Sequence, residues 1–439
     1  MKLWIIVFAI LLFVGQTTDS LGQSPAKISD DSSEQIVAAY RDGIGALGRE
    51  PAKAAEIIKR AYALNPKDDI IVYLIASAYT QAGDKSSAIE WLKKLAELKS
   101  CFSPSPQTFS SLKESEEYKV AEKLIKANAP SAHQSKIAFT VPEPELIPEG
   151  MTYDPVDKAF YLSSLYKRKI VRIKPNKRGL SPLIEDFAAS EQDGLYSVLG
   201  MKVDTKRRVL WVISSAEPLM KGYRTGDQGK SALFKYDLAT RKLLKKFSLN
   251  PAPNHLLNDL ALASNGDIYL TDTASSEIYF LSHDGESLTV FIPAGKFRVP
   301  NGIAISNDDQ KLFIADIIQG ILTVDVKTKQ VAPLPYPQGI STAGIDGLYF
   351  YKNSLIGVLN IISGGRVARF YLNTALDKIT RSEIIECNNP LFQLPTSGTL
   401  AGNEFYYIAN SQYESYNPDG TLFPLNKLRD VIILKTKLR

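Results

Sequence analysis

The 439-residue sequence is poor in the side chains that form disulfide frameworks and soft-metal sites, since it has two cysteines and three histidines. Two cysteines allow at most one disulfide, which excludes the dense cross-linking that stabilises small secreted domains. The scarcity of cysteine and histidine also argues against a zinc site, because these residue types supply most zinc ligands. We therefore expect any bound metal to be held by oxygen atoms.

The sequence also lacks a strong excess of one charge. Its formal net charge is +5, and its basic clusters are short, as at Tyr166–Lys169 and Lys206–Arg208. Nucleic-acid binding needs a basic stripe or face, so we interpret these clusters as solvated turns and expect no nucleic-acid partner. The hydrophobic fraction of 44% and the charged fraction of 23% are ordinary for folded protein, and the length suits two or more domains.

One long apolar run, Leu3–Val14, stands near the amino terminus. Lys2 precedes it and small residues follow at Ser20–Gly22, which is the pattern of a signal peptide over residues 1–22. The twelve residues of the run fall short of the roughly 20 that a membrane-spanning helix needs. We expect an exported protein, periplasmic or secreted, with no integral membrane segment after cleavage; the alternative is an uncleaved anchor.

From Glu34 to about Asn128, apolar and small residues recur at helical spacing. An offset of 34 residues superimposes Ala54 on Ala88, Ile58 on Leu92 and Ala61 on Leu95. This is the tetratricopeptide period, and the stretch resembles about two such repeats. Two repeats rarely bury enough surface alone, so we expect a helix from Gln107 to Ala127 to cap them. The repeats provide either a groove for a protein partner or a structural collar.

The composition divides the chain after the signal peptide into a helical domain (23–128), a polar linker (129–135) and a β-rich domain (136–439). Few contacts are expected to cross such a linker, so a cut there is predicted to release a helical fragment. Cys101 and Cys387 fall in different domains, and we expect two separate thiols, with an interdomain disulfide as the alternative.

The β-rich domain repeats one unit six times. The units open with EGMTYD (Glu149), LGMKVD (Leu199), NDLALA (Asn258), NGIAIS (Asn301), DGLYFY (Asp346) and SGTLAG (Ser397). Each opening is followed by a turn and an apolar second strand, and the spacings of 43 to 59 residues suit four-stranded blades. The pattern predicts a six-bladed β-propeller. The strand at Lys136–Val141 has no blade of its own, so we expect it to pair with the last strand of the chain and close the ring.

The first strand of each propeller blade lines the central channel, so the six opening residues should converge there. Four of them carry oxygen ligands: Glu149, Asn258, Asn301 and Asp346. Two carboxylates and two amides form a hard, doubly negative cage that suits Ca²⁺, although another divalent cation would also fit. The alternative is that these residues belong to ordinary turns, because Asn-Gly and Asp-Gly are common turn dipeptides. Their occurrence in register across four repeats favours the metal site.

The motifs PEGMTYDPVDKAFYLSS, LNDLALASNGDIYLTD, VPNGIAISNDDQKLFIAD and GIDGLYF resemble the senescence marker protein/gluconolactonase, paraoxonase and strictosidine synthase-like superfamily. The resemblance covers about residues 136–439 and implies a six-bladed propeller with a catalytic Ca²⁺. The resemblance implies that the metal ligands are Glu149, Asn258, Asn301 and Asp346. It does not specify the substrate, because members share the cage and differ in the loops above it.

Two departures from the superfamily bear on the substrate. Gly347 follows the ligand Asp346, as in the gluconolactonase branch, whereas paraoxonases commonly have Asn there. Leu256 stands where sugar lactonases often place an Arg, so an apolar lactone or ester is expected rather than a polyhydroxylated sugar. Asp346 is the resemblance's candidate base. His255 is the alternative because histidine titrates near neutrality, although a structural hydrogen bond would equally explain it.

Two function classes follow from these observations. The first is an exported Ca²⁺-dependent hydrolase of lactones or related esters, with the metal in the propeller channel acting as Lewis acid. The second is a non-catalytic interaction protein in which propeller and helical repeats bind partners and the metal is structural. Fold alone does not choose between them.

Overall fold

The structure is a computed structural model that describes residues 32–130, 132–175, 182–251, 254–360 and 365–439. The predicted signal peptide lies outside these residues. Helices come first: α1 (Ser32–Leu47), α2 (Pro51–Leu64), α3 (Asp69–Ala82), α4 (Lys85–Glu97) and α5 (Glu116–Asn128). In the part of the chain that is described, no helix is both long and apolar enough to cross a membrane.

The ends of α3 and α4 follow from their capping residues. The side chain of Asp68 accepts hydrogen bonds from the backbone N–H groups of Ile70 and Ile71, which begins α3. Gly83 ends α3 in the left-handed conformation, with φ of +81°. Asp84 then caps α4 by accepting from the N–H of Ser87. These short, capped, antiparallel helices form the predicted tetratricopeptide-like region.

The last helix is shorter than predicted. We expected it from Gln107 to Ala127, but α5 begins at Glu116 and runs to Asn128. The hydroxyl of Ser115 caps it by accepting from the N–H of Tyr118. Residues 107–115 instead form turns and a single 3₁₀ helix at Ser110–Leu112, and the hydroxyl of Ser105 accepts a hydrogen bond from the N–H of Thr108. A turn held by a side chain thus takes the place of the first predicted helical turns.

The β-rich part is the predicted six-bladed propeller, with six four-stranded antiparallel sheets. Blades 1 to 3 are β2 (Met151–Asp154), β3 (Ala159–Ser164), β4 (Lys169–Lys174) and β5 (Leu183–Ala188); β6 (Ser197–Asp204), β7 (Val209–Ser215), β8 (Ser231–Asp237) and β9 (Leu243–Ser248); β10 (Leu257–Leu262), β11 (Ile268–Asp272), β12 (Glu277–Leu281) and β13 (Thr289–Ile292). Blades 4 and 5 are β14 (Pro300–Ile305), β15 (Lys311–Asp316), β16 (Gly320–Asp325) and β17 (Val331–Pro333); β18 (Ile345–Phe350), β19 (Ser354–Leu359), β20 (Arg366–Leu372) and β21 (Ile379–Cys387).

Blade 6 closes the ring with strands from both ends of the propeller. It contains β22 (Gly398–Ala401), β23 (Glu404–Ile408), β24 (Val431–Lys437) and, outermost, β1 (Lys136–Val141). β1 pairs antiparallel with β24, so that Lys136 lies opposite Lys435 and Val141 opposite Val431. The predicted closure is confirmed, and the pairing covers the outer side of β24, which would otherwise be the edge strand of blade 6.

The helical region packs against the propeller over a continuous apolar core. Tyr40 and Phe102 of the helical region belong to one buried cluster with Ile318, Ile340 and Phe370 of blades 4 and 5. The expectation that few contacts cross between the two parts is therefore wrong. Linker composition did not reveal these contacts, because they are made by surfaces far from the linker in sequence.

Cys101 and Cys387 form a disulfide across this interface, with their Cα atoms 5.6 Å apart. The expectation of two separate thiols is wrong. Cys101 follows α4 and Cys387 ends β21, so only the docking of the two parts brings the cysteines together. Because successive strands are antiparallel, the end of β21 lies on the same face of the propeller as the start of β18, where Asp346 is found. The helices therefore cover the face at which the predicted ligands lie.

Candidate functional site

Five of the six opening residues line a small cavity in the central channel. They are Glu149, Asn258, Asn301, Asp346 and Ser397. The sixth, Leu199, was expected with them but is absent from this lining; it packs instead in a buried apolar cluster with Ile147 and Leu257. Leucine gains more from that apolar environment than from a polar channel, which explains the difference. The cavity encloses about 20 Å³, which is room for an ion or a water molecule.

A one-residue bulge places three of the predicted ligands. In blade 3, Leu257 pairs with Asp272 and Leu260 with Leu270, so three steps along β10 oppose two along β11. Asn258 lies inside this bulge, and the same irregularity surrounds Asn301 in β14 and Asp346 in β18. A bulge redirects side chains at the rim of a sheet. The dipeptides therefore belong to first strands and not to turns, contrary to the alternative interpretation.

The glycine after several of these ligands is required by the close approach of neighbouring first strands. A Cβ on Gly302 would lie 2.2 Å from the carbonyl oxygen of Asp346, and one on Gly150 would lie 2.1 Å from that of Leu199. Only glycine allows backbones to approach so closely. The glycines of the Asn-Gly and Glu-Gly sequences are therefore required by the narrow channel.

Hydrogen bonds orient the ligand side chains. Asn258 donates from Nδ2 to Oγ1 of Thr273 at 3.1 Å, which leaves its amide oxygen for another partner. Asn360 donates from Nδ2 to Oδ2 of Asp346 at 2.5 Å, and the side chain of Asn301 also hydrogen-bonds Asp346. Thr273 and Asn360 hold equivalent positions, each one residue past the partner of a bulged first strand. Sequence reasoning missed both, although their shared position is a signal visible once the blades are aligned.

We call the four predicted ligands, Glu149, Asn258, Asn301 and Asp346, the ligand ring. Its carboxylates concentrate negative charge that the described protein groups balance poorly. Burial raises the pKa of Glu149 well above its usual range, and the neighbouring carboxylates of Asp346, Glu217 and Asp259 raise that pKa further. Burial likewise raises the pKa of Asp346 to about 7, against the lowering effect of its amide hydrogen bonds. Lys202 also lines the cavity, and its Nζ lies 3.9 Å from Oδ1 of Asp259.

These features fit a divalent cation held by oxygen atoms. The donors are two carboxylates and two amides, and the cavity has the size of an ion. Burial, and then the neighbouring carboxylates, raise the pKa values of Glu149 and Asp346, and a bound cation would favour the charged form of both groups. Within the described residues, no three or more His, Cys, Asp or Glu side chains are grouped so that they alone could hold a metal ion, so a metal site here would depend on the amides of Asn258 and Asn301.

His255 lies at the start of blade 3 and outside the described lining of the cavity. Its Nδ1 is 2.6 Å from Oδ2 of Asp272, and its ring is buried against Tyr279. Asp272 also accepts hydrogen bonds from the backbone N–H groups of Leu256 and Ala274. The structure therefore gives His255 the structural hydrogen bond that the sequence left open as an alternative.

Glu217 is a further acidic side chain near the ring that the sequence did not indicate. It lies in the loop between β7 and β8, and burial raises its pKa to about 7. Its charge raises the pKa values of Glu149 and Tyr413, so it lies near enough to interact electrostatically with Glu149. Blade 2 offers no ligand at its opening, so nothing in the sequence pattern pointed to this loop.

Comparison with known proteins agrees with this geometry. The tetratricopeptide repeat model matches residues 49–99, and the SMP-30/gluconolactonase/LRE-like region model matches residues 147–381. No curated protein sequence matches the chain.

Among solved structures, the chain is similar to the major allergen Mala s 1 of Malassezia sympodialis, with a TM-score of 0.52, 16% identity, and coverage of 70% of this chain and 97% of that one. It is also similar to a calcium-binding protein, regucalcin, from Agrobacterium tumefaciens, with a TM-score of 0.46, 15% identity, and coverage of 69% and 96%. At such identities the likeness concerns the fold alone. The SMP-30/gluconolactonase/LRE-like model matches more than half of the length of this chain, and the chain therefore belongs to that family.

Proposed function

We propose that the protein is an exported, Ca²⁺-dependent hydrolase of lactones or related esters. The observation that carries the proposal is the convergence of Glu149, Asn258, Asn301 and Asp346 on one ion-sized cavity, where the pKa values of both carboxyl groups are raised. Family membership supports the same class of reaction. These four residues would hold the cation, and Lys202 would neutralise Asp259 beside them.

When bound, the cation supplies Lewis-acid polarisation of the substrate carbonyl. The chain's own groups do the remaining work. Asn301 and Asn360 fix the carboxylate of Asp346, which we assign as the base that takes a proton from the attacking water. His255 remains the alternative base, but its engagement with Asp272 favours a role in holding the start of blade 3.

The proposal of export draws on the disulfide between Cys101 and Cys387. Disulfides persist in oxidising compartments and are rare in reducing ones. This agrees with a signal peptide over residues 1–22, which the sequence predicts.

A screen of lactones, aryl esters and phosphotriesters, each with Ca²⁺ and with chelator, tests the proposal. We expect turnover of an apolar lactone or ester that chelator abolishes and Ca²⁺ restores. We also expect Ca²⁺ to raise the melting temperature, because a ligand of the native state stabilises it by mass action. Identical melting with chelator and with saturating Ca²⁺ contradicts the metal site.

A non-catalytic interaction protein is the second candidate. It is favoured by the position of the tetratricopeptide-like helices, which pack over the ligand face of the propeller and would present a partner surface there. In that case Ca²⁺ should stabilise the protein without any turnover in the screen.

A further inference from the structure

The channel cavity is too small for an organic substrate. It encloses about 20 Å³, whereas sites for drug-sized ligands enclose roughly 300–1,000 Å³. If the ring holds a cation, the body of a lactone or ester must lie outside the channel. A larger cavity next to the ring must then receive it.

Such a cavity lies between the helical region and blades 5 and 6, and we call it the interdomain cleft. It encloses about 490 Å³. Ser103 and Ala129 of the helical region form one wall, and the loop that follows β21 forms the other. Asn360 lines this cleft and donates to Asp346 at 2.5 Å, so the cleft lies one hydrogen bond from the ligand ring.

The lining of the interdomain cleft combines apolar surface with neutral hydrogen-bonding groups. The loop side supplies Phe392, Leu394 and Pro395 together with the amides of Asn388, Asn389 and Gln393. Charge is sparse and balanced, with one Lys126 and one Glu414, and Lys126 already lies 3.2 Å from Glu122. Neutral amides and apolar side chains suit an uncharged ligand that carries a carbonyl or hydroxyl group on an acyl or aryl body.

The two walls are held in a fixed relation by the disulfide. Cys101 lies two residues before Ser103 on the helical wall, and Cys387 directly precedes Asn388 on the propeller wall. A covalent link at the cleft reduces the ordering that ligand binding requires, which favours affinity. The cleft is thus largely pre-formed, as small-molecule sites usually are.

We propose that the interdomain cleft binds the acyl portion of a neutral lactone or ester, so that the helical region forms part of the substrate site. This rests on the proposed hydrolase function. It gives the tetratricopeptide-like helices a role within the active site in place of a separate docking function.

A matched pair of tryptophan variants on α5 and its end tests the cleft. Ala129→Trp fills the cleft from the helical wall, and Ala127→Trp places the same side chain on the exposed surface nearby. Hydrolysis of 4-nitrophenyl octanoate and 4-nitrophenyl acetate is measured for both variants and the wild type with Ca²⁺. We expect Ala129→Trp to raise KM for the octanoate at least about tenfold and to leave the acetate nearly unchanged, because the short acyl group does not need the cleft.

Binding of N-phenyloctanamide, an unreactive amide, provides a readout independent of turnover. Binding to wild type and Ala127→Trp, with loss in Ala129→Trp, supports the cleft even if no ester is hydrolysed, and then only the hydrolase proposal fails. Equal effects of Ala129→Trp on both esters, equal amide binding in all three proteins, or no amide binding to the wild type overturns the cleft. Calcium-dependent acetate hydrolysis would still support the hydrolase.

If Ala129→Trp does not fold, Ser103→Trp and its exposed neighbour Ser111→Trp replace the pair. Ser103 lies on the same wall but does not adjoin α5, so a substitution there leaves the end of that helix unchanged. The same outcomes apply, since a larger side chain at Ser103 also fills the cleft and one at Ser111 does not.

Discussion

Arg366, the first residue of β20, forms an ion pair with Asp69, the first residue of α3, with Nη1 and Oδ2 3.0 Å apart. The guanidinium also stacks over the ring of Phe102 at 4.7 Å, and the hydroxyl of Ser100 donates to the same carboxylate. The pair is largely buried, so it fixes the orientation of the helices on the propeller. Removing one partner would leave an unpaired buried charge and lower the stability of the fold.

We therefore expect Asp69→Asn to destabilise the protein by about 3 kcal/mol, because it leaves the Arg366 guanidinium without its counter-charge. The double variant Asp69→Leu/Arg366→Met should recover much of this loss, since no buried charge remains. Chemical denaturation of the wild type, Asp69→Leu, Arg366→Met and the double variant completes a double-mutant cycle and measures the coupling. Additive effects would contradict a direct interaction.

Loss of the disulfide should also destabilise the protein. Replacing both Cys101 and Cys387 by Ser removes a link between residues 286 apart, and we expect a loss of about 2–4 kcal/mol. In the wild type, the disulfide should hold the helical fragment to the propeller after a cut within residues 129–135. The fragment should then be released only when reductant is added. Release under non-reducing conditions would contradict the link.

The ring was predictable from the sequence and the interface was not. The openings at Asn258, Asn301 and Asp346 recur in register because each first strand lines the same channel. The repeat in the sequence therefore indicates which residues meet there. The pairing of Cys101 with Cys387 depends on how two domains dock, which no repeat encodes. Thr273 and Asn360 were missed because each contacts a predicted ligand of its own blade, and their residue types differ between blades.

Glycine in the channel wall provides a test of the packing. Gly302→Ala would bring its new methyl group against the carbonyl oxygen of Asp346, so we expect a large fall in melting temperature. Gly226→Ala is the control, because a Cβ there meets no atom within 4 Å. Equal melting of the two variants would mean that the first strands can separate without cost.

Stability should depend on pH through Asp68, the cap of α3. Burial, followed by the charge of Asp69, raises the pKa of Asp68 to about 7. A carboxyl whose pKa is raised by folding contributes stability that is complete below its unfolded pKa of about 3.9 and is lost as pH rises towards 7. The loss amounts to at most about 4 kcal/mol.

Asp68→Asn keeps the cap and removes the titration, so its free energy of unfolding should change less between pH 4 and 7 than that of the wild type. Asp84→Asn is the control. Hydrogen bonds from Ser87 lower the pKa of Asp84, so its contribution is lost in the opposite direction, as pH falls. Denaturation at several pH values measures both, and parallel curves for wild type and Asp68→Asn would show that Asp68 stays ionised.

The two carboxylates of the ring separate the two function classes. Asp346→Asn removes a charge from the cage and the assigned base, while Glu149→Gln removes a charge alone. If Asp346 is the base, its variant should lose turnover by about 10³-fold even at Ca²⁺ concentrations that restore occupancy, because general-base catalysis contributes roughly 10²–10⁴-fold. Excess Ca²⁺ should rescue Glu149→Gln at least in part, because only affinity was lost.

Measuring turnover and Ca²⁺-dependent melting on the same samples distinguishes these effects. Recovery of melting without recovery of turnover in Asp346→Asn identifies a chemical role beyond metal binding. Equal rescue of turnover in both variants makes Asp346 a ligand only, and moves the base to His255 or to Glu217, whose pKa is raised to about 7. If both variants lose only stability, and the wild type turns over no ester, the metal is structural and the interaction protein is the better account.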